Sequence, residues 1–344
     1  MFRDVSIDRA IVLRMLRPLP GLLLLTMALA LGLPCSAAAQ SELQTMLDPT
    51  FGKQIFRSDY RISFYPDQRV EQQPAQLGFT EHRVSLSVPL WQNLRDEWTV
   101  FTNADLEDFR TRAVLPDTGT RFPGELWDVR FGTTYRHKLD NDWIAGGNVT
   151  VGSASDKPFS SADELFVRAM GFLRVPQGEH NAWIFSLLYA SDSEFLGGIP
   201  IPGIAYQYEP SESLRIVIGV PFSSVEYRPF EKLTLEASYF PLRKVRARAT
   251  YEVFRPLRVW AGFDWASEYH FRADRIEKDD KLYYYEKRLA GGIRFDLRHA
   301  GVEVYGGRTF DRFYFEGDSY SDRNRNRIDV HDGWFGVVRV SVRY

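Results

Sequence analysis

The sequence predicts an all-β fold: a transmembrane, antiparallel, up-and-down β-barrel of about 16 strands, with 12 to 14 strands as the fallback. Three observations predict this fold. Apolar and polar residues alternate with a period of two through most of the chain after residue 57. Connectors between these segments alternate between short and long. Tryptophans gather near the segment ends, as they do at the two surfaces of a membrane.

Residues 1–39 are predicted to be a cleaved signal peptide. Arg14 and Arg17 precede an apolar run at residues 21–33, and the small residues of PCSAAAQ follow it. The run is about 13 residues long, shorter than the roughly 20 residues that a transmembrane helix needs. The only cysteine, Cys35, follows the letters GLP, which match a lipoprotein attachment site poorly. We therefore expect cleavage near Ala39 and a mature chain without cysteine.

A short periplasmic lead is predicted over residues 40–57, and the barrel over residues 58–344. The segment KVRARATYEVF illustrates the alternation, because Val245, Ala247 and Ala249 face opposite to Arg246 and Arg248. The predicted strands are 58–66, 79–91, 96–110, 126–139, 142–154, 163–175, 181–191, 203–209, 213–221, 222–228, 231–241, 243–254, 256–269, 283–297, 300–314 and 332–344.

Bulk properties exclude two other classes of protein. The formal net charge of −2 shows no basic bias toward nucleic acid. After the signal peptide there is no second long apolar run, which excludes a helical membrane protein.

The tryptophans mark the predicted ends of the strands. Trp91 and Trp98 flank one short connector, Trp143 follows another, and Trp127 and Trp334 begin strands after long connectors. Amphipathic rings of this kind lie at the headgroup level of a bilayer. The predicted strands, most of them about 9 to 14 residues long, are long enough to cross a bilayer when tilted.

The signal peptide, the even strand count, the aromatic girdles and the last strand together resemble bacterial outer-membrane β-barrel proteins over roughly residues 58–344. More narrowly, the chain is similar to outer-membrane barrel families of unknown function. The resemblance implies location in the outer membrane of a Gram-negative type envelope, with outer-membrane lipid as a partner. It also implies a last strand that the barrel assembly machinery recognises. Val338, Val340, Val342 and Tyr344 match that signal of alternating apolar residues ending in an aromatic residue.

The polar faces of the strands are predicted to line the lumen. Arginines outnumber acids on these faces, which favours a cationic wall and anionic solutes. A charge ladder that only holds the wall together is the alternative. The residues predicted to line the pore are Arg246, Arg248, Arg258, Arg288, Arg294, Arg339, Glu252 and Asp264.

A barrel of about 16 strands leaves an aqueous lumen, whereas a barrel of about eight is filled by side chains. We therefore predict a porin-like passive pore for small polar solutes, with a preference for anions. A structural or adhesive barrel without transport and an outer-membrane hydrolase are the alternatives.

No catalytic residue, metal or cofactor is predicted. The nearest approach to a calcium loop is segment 315–333, but an EF-hand wants glycine at its sixth position and glutamate at its twelfth. Counted from Asp322, those positions hold Arg327 and Gly333. The six histidines are scattered, and the chain contains no HExxH, CxxC or glycine-rich phosphate loop. His270 and His331 are the two that we expect outside, where Asp274 or Asp329 are candidate partners.

Overall fold

The structure, a computed structural model, describes residues 48–193, 198–240 and 244–344. The predicted signal peptide and the first part of the predicted lead lie outside the described residues. The strands are β1 (Arg57–Arg69), β2 (Gln76–Gln92), β3 (Asp96–Thr111), β4 (Glu125–Lys138), β5 (Ile144–Ser155), β6 (Leu165–Gln177), β7 (Asn181–Ala190), β8 (Ile201–Ser211), β9 (Leu214–Val220), β10 (Ser223–Phe230), β11 (Leu233–Phe240), β12 (Lys244–Phe254), β13 (Leu257–His270), β14 (Lys281–Asp296), β15 (Ala300–Gly317), β16 (Ile328–Val330) and β17 (Gly333–Arg343). Two 3₁₀ turns, Ala162–Glu164 and Tyr320–Asp322, lie in connectors.

The strands form one closed antiparallel ring. From β1 to β15 each strand pairs with the next, and β17 pairs with both β15 and β1. The three-residue β16 pairs with β15 beyond the end of β17, so the ring itself has 16 strands. The predicted fold class is therefore confirmed. Every predicted segment overlaps one strand of the ring, including the short tenth at Ser223–Phe230.

The connectors differ between the two ends of the barrel. At the end that holds the start of β1, the connectors between barrel strands run over two to five residues, as at 212–213 and 139–143. At the opposite end several are much longer, including 112–124, 271–280 and 318–332. In outer-membrane barrels the short turns are periplasmic and the long loops extracellular, which orients the chain.

The distribution of side chains is reversed relative to a soluble protein. Large apolar residues on the outer faces are exposed, among them Phe131, Val151 and Ile293. Charged residues on the inner faces, such as Glu81 and Arg136, are buried. An exposed apolar surface of this extent is stable only in a membrane, and a closed ring satisfies the backbone polar groups that hydrocarbon cannot. The chain is an outer-membrane β-barrel. Among the described residues, no helix is long and apolar enough to cross a membrane.

The wall of the barrel is uneven in height. Strands β9, β10 and β11 have 7, 8 and 8 residues, whereas β14 and β15 have 16 and 18. The extra length of β14 and β15 lies at the extracellular end, where residues on both of their faces are buried. The tall side of the wall therefore carries structure beyond the membrane that has no counterpart among the described residues of the short side.

Candidate functional site

The lumen is the candidate site, and ion pairs organise its wall. Glu81 of β2 lies 2.6 Å from Arg61 of β1 and 3.0 Å from Arg83 of its own strand. Arg83 also reaches Asp105 of β3 at 2.5 Å. Three further pairs join lumen side chains: Arg248 with Glu303, Arg339 with Asp59, and Arg343 with Asp296. The arginines predicted for the lumen are thus largely matched by carboxylates, many of them on other strands.

A cavity of about 310 Å³ lies in the middle of the lumen. Five of the predicted pore-lining residues border it: Arg246, Arg248, Asp264, Arg288 and Arg339. Aromatic rings of Tyr65, Phe79, Tyr284, Trp260 and Tyr305 complete much of its wall. The lining of the cavity is therefore mainly ionic, with 14 charged residues and six aromatic ones, and few aliphatic side chains reach it.

A second cavity, of about 580 Å³, forms the periplasmic vestibule, and it is bordered by Arg294, Arg343 and Arg136. Asp59 and Arg339 border both cavities, so the two are contiguous. The remaining predicted residues, Arg258 and Glu252, border neither cavity. They pair with each other at 3.7 Å, and Arg258 also lies 3.5 Å from Asp296.

The described part of the lead, residues 48–56, enters the periplasmic end of the barrel. Arg136 is 1% exposed and donates hydrogen bonds to the backbone oxygens of Asp48 and Thr50 at 2.7 and 3.0 Å. Its Nε also donates to Glu97 Oε2 at 3.0 Å, and Glu97 Oε1 accepts from the Gly52 amide at 2.8 Å. The positive φ of Gly52, 74°, is a backbone conformation that glycine adopts freely.

Apolar contacts reinforce this insertion. Phe51 is buried against Ile144 and Phe172, and the Arg136 guanidinium lies 4.7 Å from the centre of its ring. Two reciprocal hydrogen bonds, 2.8 and 2.9 Å long, join Gln54 to Gln92 of β2. The lead was predicted only as a segment before the barrel, and its position inside the wall was not foreseen. No periodic pattern in the sequence marks this contact, because Phe51 lies outside the alternating segments.

The extracellular end of the lumen is packed by an aromatic cluster. Loop 112–124 turns inward and places Phe122 against Tyr314 and Phe109, with ring centres 4.9 and 5.1 Å apart. Tyr284 stacks on Tyr314 at 4.6 Å. Asn326 joins this loop to loop 318–332, because its side-chain Oδ1 accepts a hydrogen bond from the backbone amide of residue 117 at 3.0 Å. The cluster closes the extracellular end of the lumen on the side formed by β1–β3 and β14–β17.

The tip of β13 crosses the mouth of the barrel. Phe271 exchanges backbone hydrogen bonds with Ala154 and Asp156 at 2.7 and 3.2 Å, although β13 and β5 are not neighbours in the ring. Lys278 of the next loop reaches Asp163 at 3.0 Å. Sequence patterns could not reveal this closure, because it joins strands eight positions apart.

On the short side of the wall, several side chains of β8–β12 that face the lumen are exposed to solvent. Side chains on this face keep a large part of their surface exposed: 45% for Arg215 of β9 and 40% for Arg246 of β12. Glu236 of β11, which pairs in register with Arg248, is exposed as well. Above the periplasmic vestibule, the lumen is thus packed along β1–β3 and β13–β17 and solvated along β8–β12.

The predicted assembly signal lies on the closing strand. Val338 and Val340 are 42% and 38% exposed on the outer face, and Arg339 between them turns into the lumen. Tyr344 is 70% exposed, stacks on His299 with ring centres 5.4 Å apart, and donates its backbone amide to Phe56. These residues therefore present an aromatic edge at the periplasmic rim.

The acids that were candidate histidine partners are bound to arginines. Asp274 lies 2.7 Å from Arg272, and Asp329 lies 2.6 Å from Arg327. His270 is 4% exposed, so it lies buried rather than in an outer loop as expected. His270 is the last residue of β13, whose tip bends across the mouth of the barrel. This bend is the reason why the side chain is buried. In the part of the chain that the structure describes, no cluster of three or more His, Cys, Asp or Glu residues suits a metal ion.

No family model and no curated protein matches the chain. Solved structures do match, and all of those that follow are bacterial outer-membrane proteins. An outer membrane channel from Pseudomonas putida F1 is 11% identical over 84% of this chain and 94% of that chain, with a TM-score of 0.35. The toluene transporter TodX from Pseudomonas putida is 8% identical over 91% and 96%, with a TM-score of 0.39. OccK7 from Pseudomonas aeruginosa is 10% identical over 84% and 100%, with a TM-score of 0.37.

Proposed function

We propose that the barrel is a passive pore for small polar solutes in the outer membrane, with a modest preference for anions. The observation that carries the proposal is the solvated half of the lumen along β8–β12, where Arg215 and Arg246 keep 45% and 40% of their side-chain surface exposed. A barrel filled by its own side chains would bury them. We place the solute path from the periplasmic vestibule along the face of β8–β12, beside the packed half.

The anion preference rests on the periplasmic vestibule. Its described lining has five arginines and three carboxylates, which leaves a positive formal charge. A ring of fixed charge of one sign raises the local concentration of counter-ions and selects for them. The mid-lumen cavity contributes less, because its lining carries equal numbers of acidic and basic side chains.

Ion selectivity in planar bilayers tests this proposal. The reversal potential under a salt gradient is expected to show modest anion preference. Replacing Arg294 and Arg343 together with glutamine should abolish that preference, because it removes two of the five vestibule arginines. Arg95→Gln is the matched control, since Arg95 lies on an exposed periplasmic turn. Cation selectivity of the unaltered protein, or the absence of any conductance, would contradict the proposal.

A barrel without transport, structural or adhesive, is the second candidate. The packing of Phe122 against Tyr314 and the bridge from Phe271 to β5 favour it, because both cover the extracellular mouth. Swelling of liposomes that contain the protein, measured in sugars of increasing size, separates the two functions. A pore swells them at a rate that falls with sugar size, whereas a closed barrel leaves them unchanged.

We also propose that the barrel is not an enzyme. The support is local: Asp274 and Asp329, the candidate partners of His270 and His331 named from the sequence, are held by arginines and are not available as partners of a base. A phospholipid and peptide turnover assay on the folded barrel tests this. Turnover that persists in a repurified sample would overturn it.

We propose that the barrel assembly machinery recognises the closing strand through Val338, Val340, Val342 and Tyr344. Deletion of Tyr344 is expected to lower the fraction of protein inserted into the outer membrane several-fold and to leave ion selectivity unchanged. The physical reason is the loss of the aromatic edge at the periplasmic rim, where Tyr344 stacks on His299. Tyr344→Phe is the matched control and should insert normally. Equal insertion of the deletion variant, scored by heat-modifiable gel migration, would contradict this role.

A further inference from the structure

Two of the five arginines that line the periplasmic vestibule have a carboxylate of their own. Arg136 pairs with Glu97, and Arg339 pairs with Asp59 at 2.6 Å. The third carboxylate of the lining, Asp48, belongs to the lead, on the far side of Arg136. The remaining arginines of the lining are Arg57, Arg294 and Arg343.

A single carboxylate serves several of the arginines at this rim. Asp296 Oδ1 accepts hydrogen bonds from Arg294 Nε at 3.0 Å and from Arg343 Nη2 at 2.9 Å. Arg258 Nη1 lies 3.5 Å from the other oxygen of Asp296. Only Arg258 has a second carboxylate, that of Glu252, at 3.7 Å. Three guanidinium groups therefore surround Asp296, and their positive charge is not fully matched.

Arg57 adds a fourth positive charge to this rim. In the ladder between β1 and β17 it lies directly opposite Arg343, and its side chain is exposed. Like charges at directly opposed positions of a sheet destabilise the pair. Within the described ranges of the chain, no carboxylate forms an ion pair with Arg57. An anion held between the two arginines would relieve their repulsion.

The arginines at this rim also keep unused donors that face the vestibule. Within the same ranges, the side-chain hydrogen bonds of Arg294 involve only Nε, and that of Arg343 involves only Nη2. A guanidinium carries five N–H donors, so both Nη groups of Arg294 and Nη1 of Arg343 are available. The two side chains are 24% and 39% exposed, and both border the vestibule of about 580 Å³. A solute in the vestibule can reach these donors.

The charge and the donors of this rim favour one class of anion. Two carboxylates stand among the four arginines, which leaves a formal charge of two to be matched. The planar forks of two guanidinium groups can donate at the same time to different oxygens of one phosphate. A monoanion such as chloride or a simple carboxylate neutralises half of the excess charge and uses fewer donors.

We propose that the periplasmic vestibule binds a tetrahedral dianion of the phosphate class. Its oxygens accept hydrogen bonds from the Nη groups of Arg294 and Arg343, and Arg57 supplies the third cation. The inference rests on the proposed function in one respect, because it names the anions that the pore would favour.

Calorimetric titration of the detergent-solubilised barrel tests the site, with inorganic phosphate as the probe at pH 8 and low ionic strength. Sulfate and acetate are the comparison probes, because sulfate has the shape and charge of the phosphate dianion and acetate is a monoanion. We expect phosphate and sulfate to bind at least tenfold more tightly than acetate, since the dianions match both excess charges and accept more charge-assisted hydrogen bonds. Equal affinity for phosphate and acetate would overturn the proposal.

Variants with effects of opposite sign test the assigned residues. Arg343→Gln and Arg57→Gln should each weaken phosphate binding about tenfold, because each removes a cation from the site. Asp296→Asn should tighten phosphate binding several-fold, because it removes the carboxylate that competes for the same guanidinium groups. A residue that only supported the wall would not produce tighter binding when it is replaced.

Arg298→Gln is the matched control, because Arg298 is exposed in the connector that follows Asp296 and does not border the vestibule. Its affinity for phosphate should equal that of the unaltered barrel. Heat-modifiable migration identifies the variants that fold. Unchanged affinity in folded Arg343→Gln or Arg57→Gln, or weaker binding in folded Asp296→Asn, contradicts the proposal.

Bilayer measurements distinguish failure of the site from failure of the pore. A barrel that conducts and prefers anions, but binds phosphate no better than acetate, refutes the site and leaves the pore. A barrel that binds phosphate as expected, but neither conducts nor swells liposomes, refutes the pore and leaves the site.

Discussion

Glu97→Ala is expected to lower the free energy of unfolding by about 3–5 kcal/mol, because it leaves the Arg136 guanidinium buried without its carboxylate. The side chains of Glu97 and Arg136 are 3% and 1% exposed in the native barrel. The same substitution removes the acceptor that holds the Gly52 amide. Two consequences should therefore appear together: a less stable barrel and a lead that leaves the lumen.

Urea unfolding of the vesicle-inserted barrel, followed by tryptophan fluorescence, measures the first consequence. Trypsin cleavage after Lys53 measures the second, because release of the lead exposes the backbone on both sides of this residue. Asp140→Ala is the matched control: it breaks an ion pair with Arg95 at the same end of the barrel, but both side chains are exposed at 89% and 63%. A loss of stability no larger than the control's would show that the lead is not anchored by Glu97.

Val340→Arg is expected to lower the free energy of unfolding nearly as much as Glu97→Ala does. A cation in the middle of the lipid-facing band costs about 2–4 kcal/mol. Val340 lies 38% exposed on the outer face of β17, within the run of alternating valines. The substitution is expected to reduce the folded fraction in vesicles and to shift urea unfolding to lower concentrations.

The neighbouring residue provides the control. Ser341 lines the periplasmic vestibule, so Ser341→Arg adds the same side chain on the opposite face of the same strand. Its effect on folding should be much smaller, since the vestibule is polar and lets water solvate the added charge. If both variants fold equally well, the assignment of the outer face of β17 to lipid is wrong.

The strand pattern of this chain was predictable because membrane strands obey a local rule. Lipid on one side and lumen on the other force a period of two, and this period persists even in the short β10, Ser223–Phe230. The alternation of short and long connectors added a second constraint that required an even strand count. Both signals are contained within windows of about ten residues, so no long-range information was needed.

The contacts inside the lumen could not be predicted from local sequence in the same way. The alternation placed Arg248 and Arg339 on the inner face, but their carboxylate partners, Glu303 and Asp59, lie 55 and 280 residues away in the chain. The inward course of the lead and of the β13 tip depends on packing between non-adjacent elements. Such contacts leave no periodic trace, so Phe51 and Phe271 looked like ordinary loop residues.

The uneven height of the wall has a consequence for the surrounding lipid. Eight residues at about 3.3 Å each and a tilt of about 40° span about 20 Å, less than the band of about 25 Å that outer-membrane barrels usually present. Strands β10 and β11 have eight residues each, whereas β15 has eighteen. Acyl chains beside β10 and β11 must compress or tilt to match these short strands, at a cost of fractions of a kcal/mol per Å of mismatch. The barrel is therefore expected to thin the bilayer beside β10 and β11, where short-chain lipids fit better than long-chain ones.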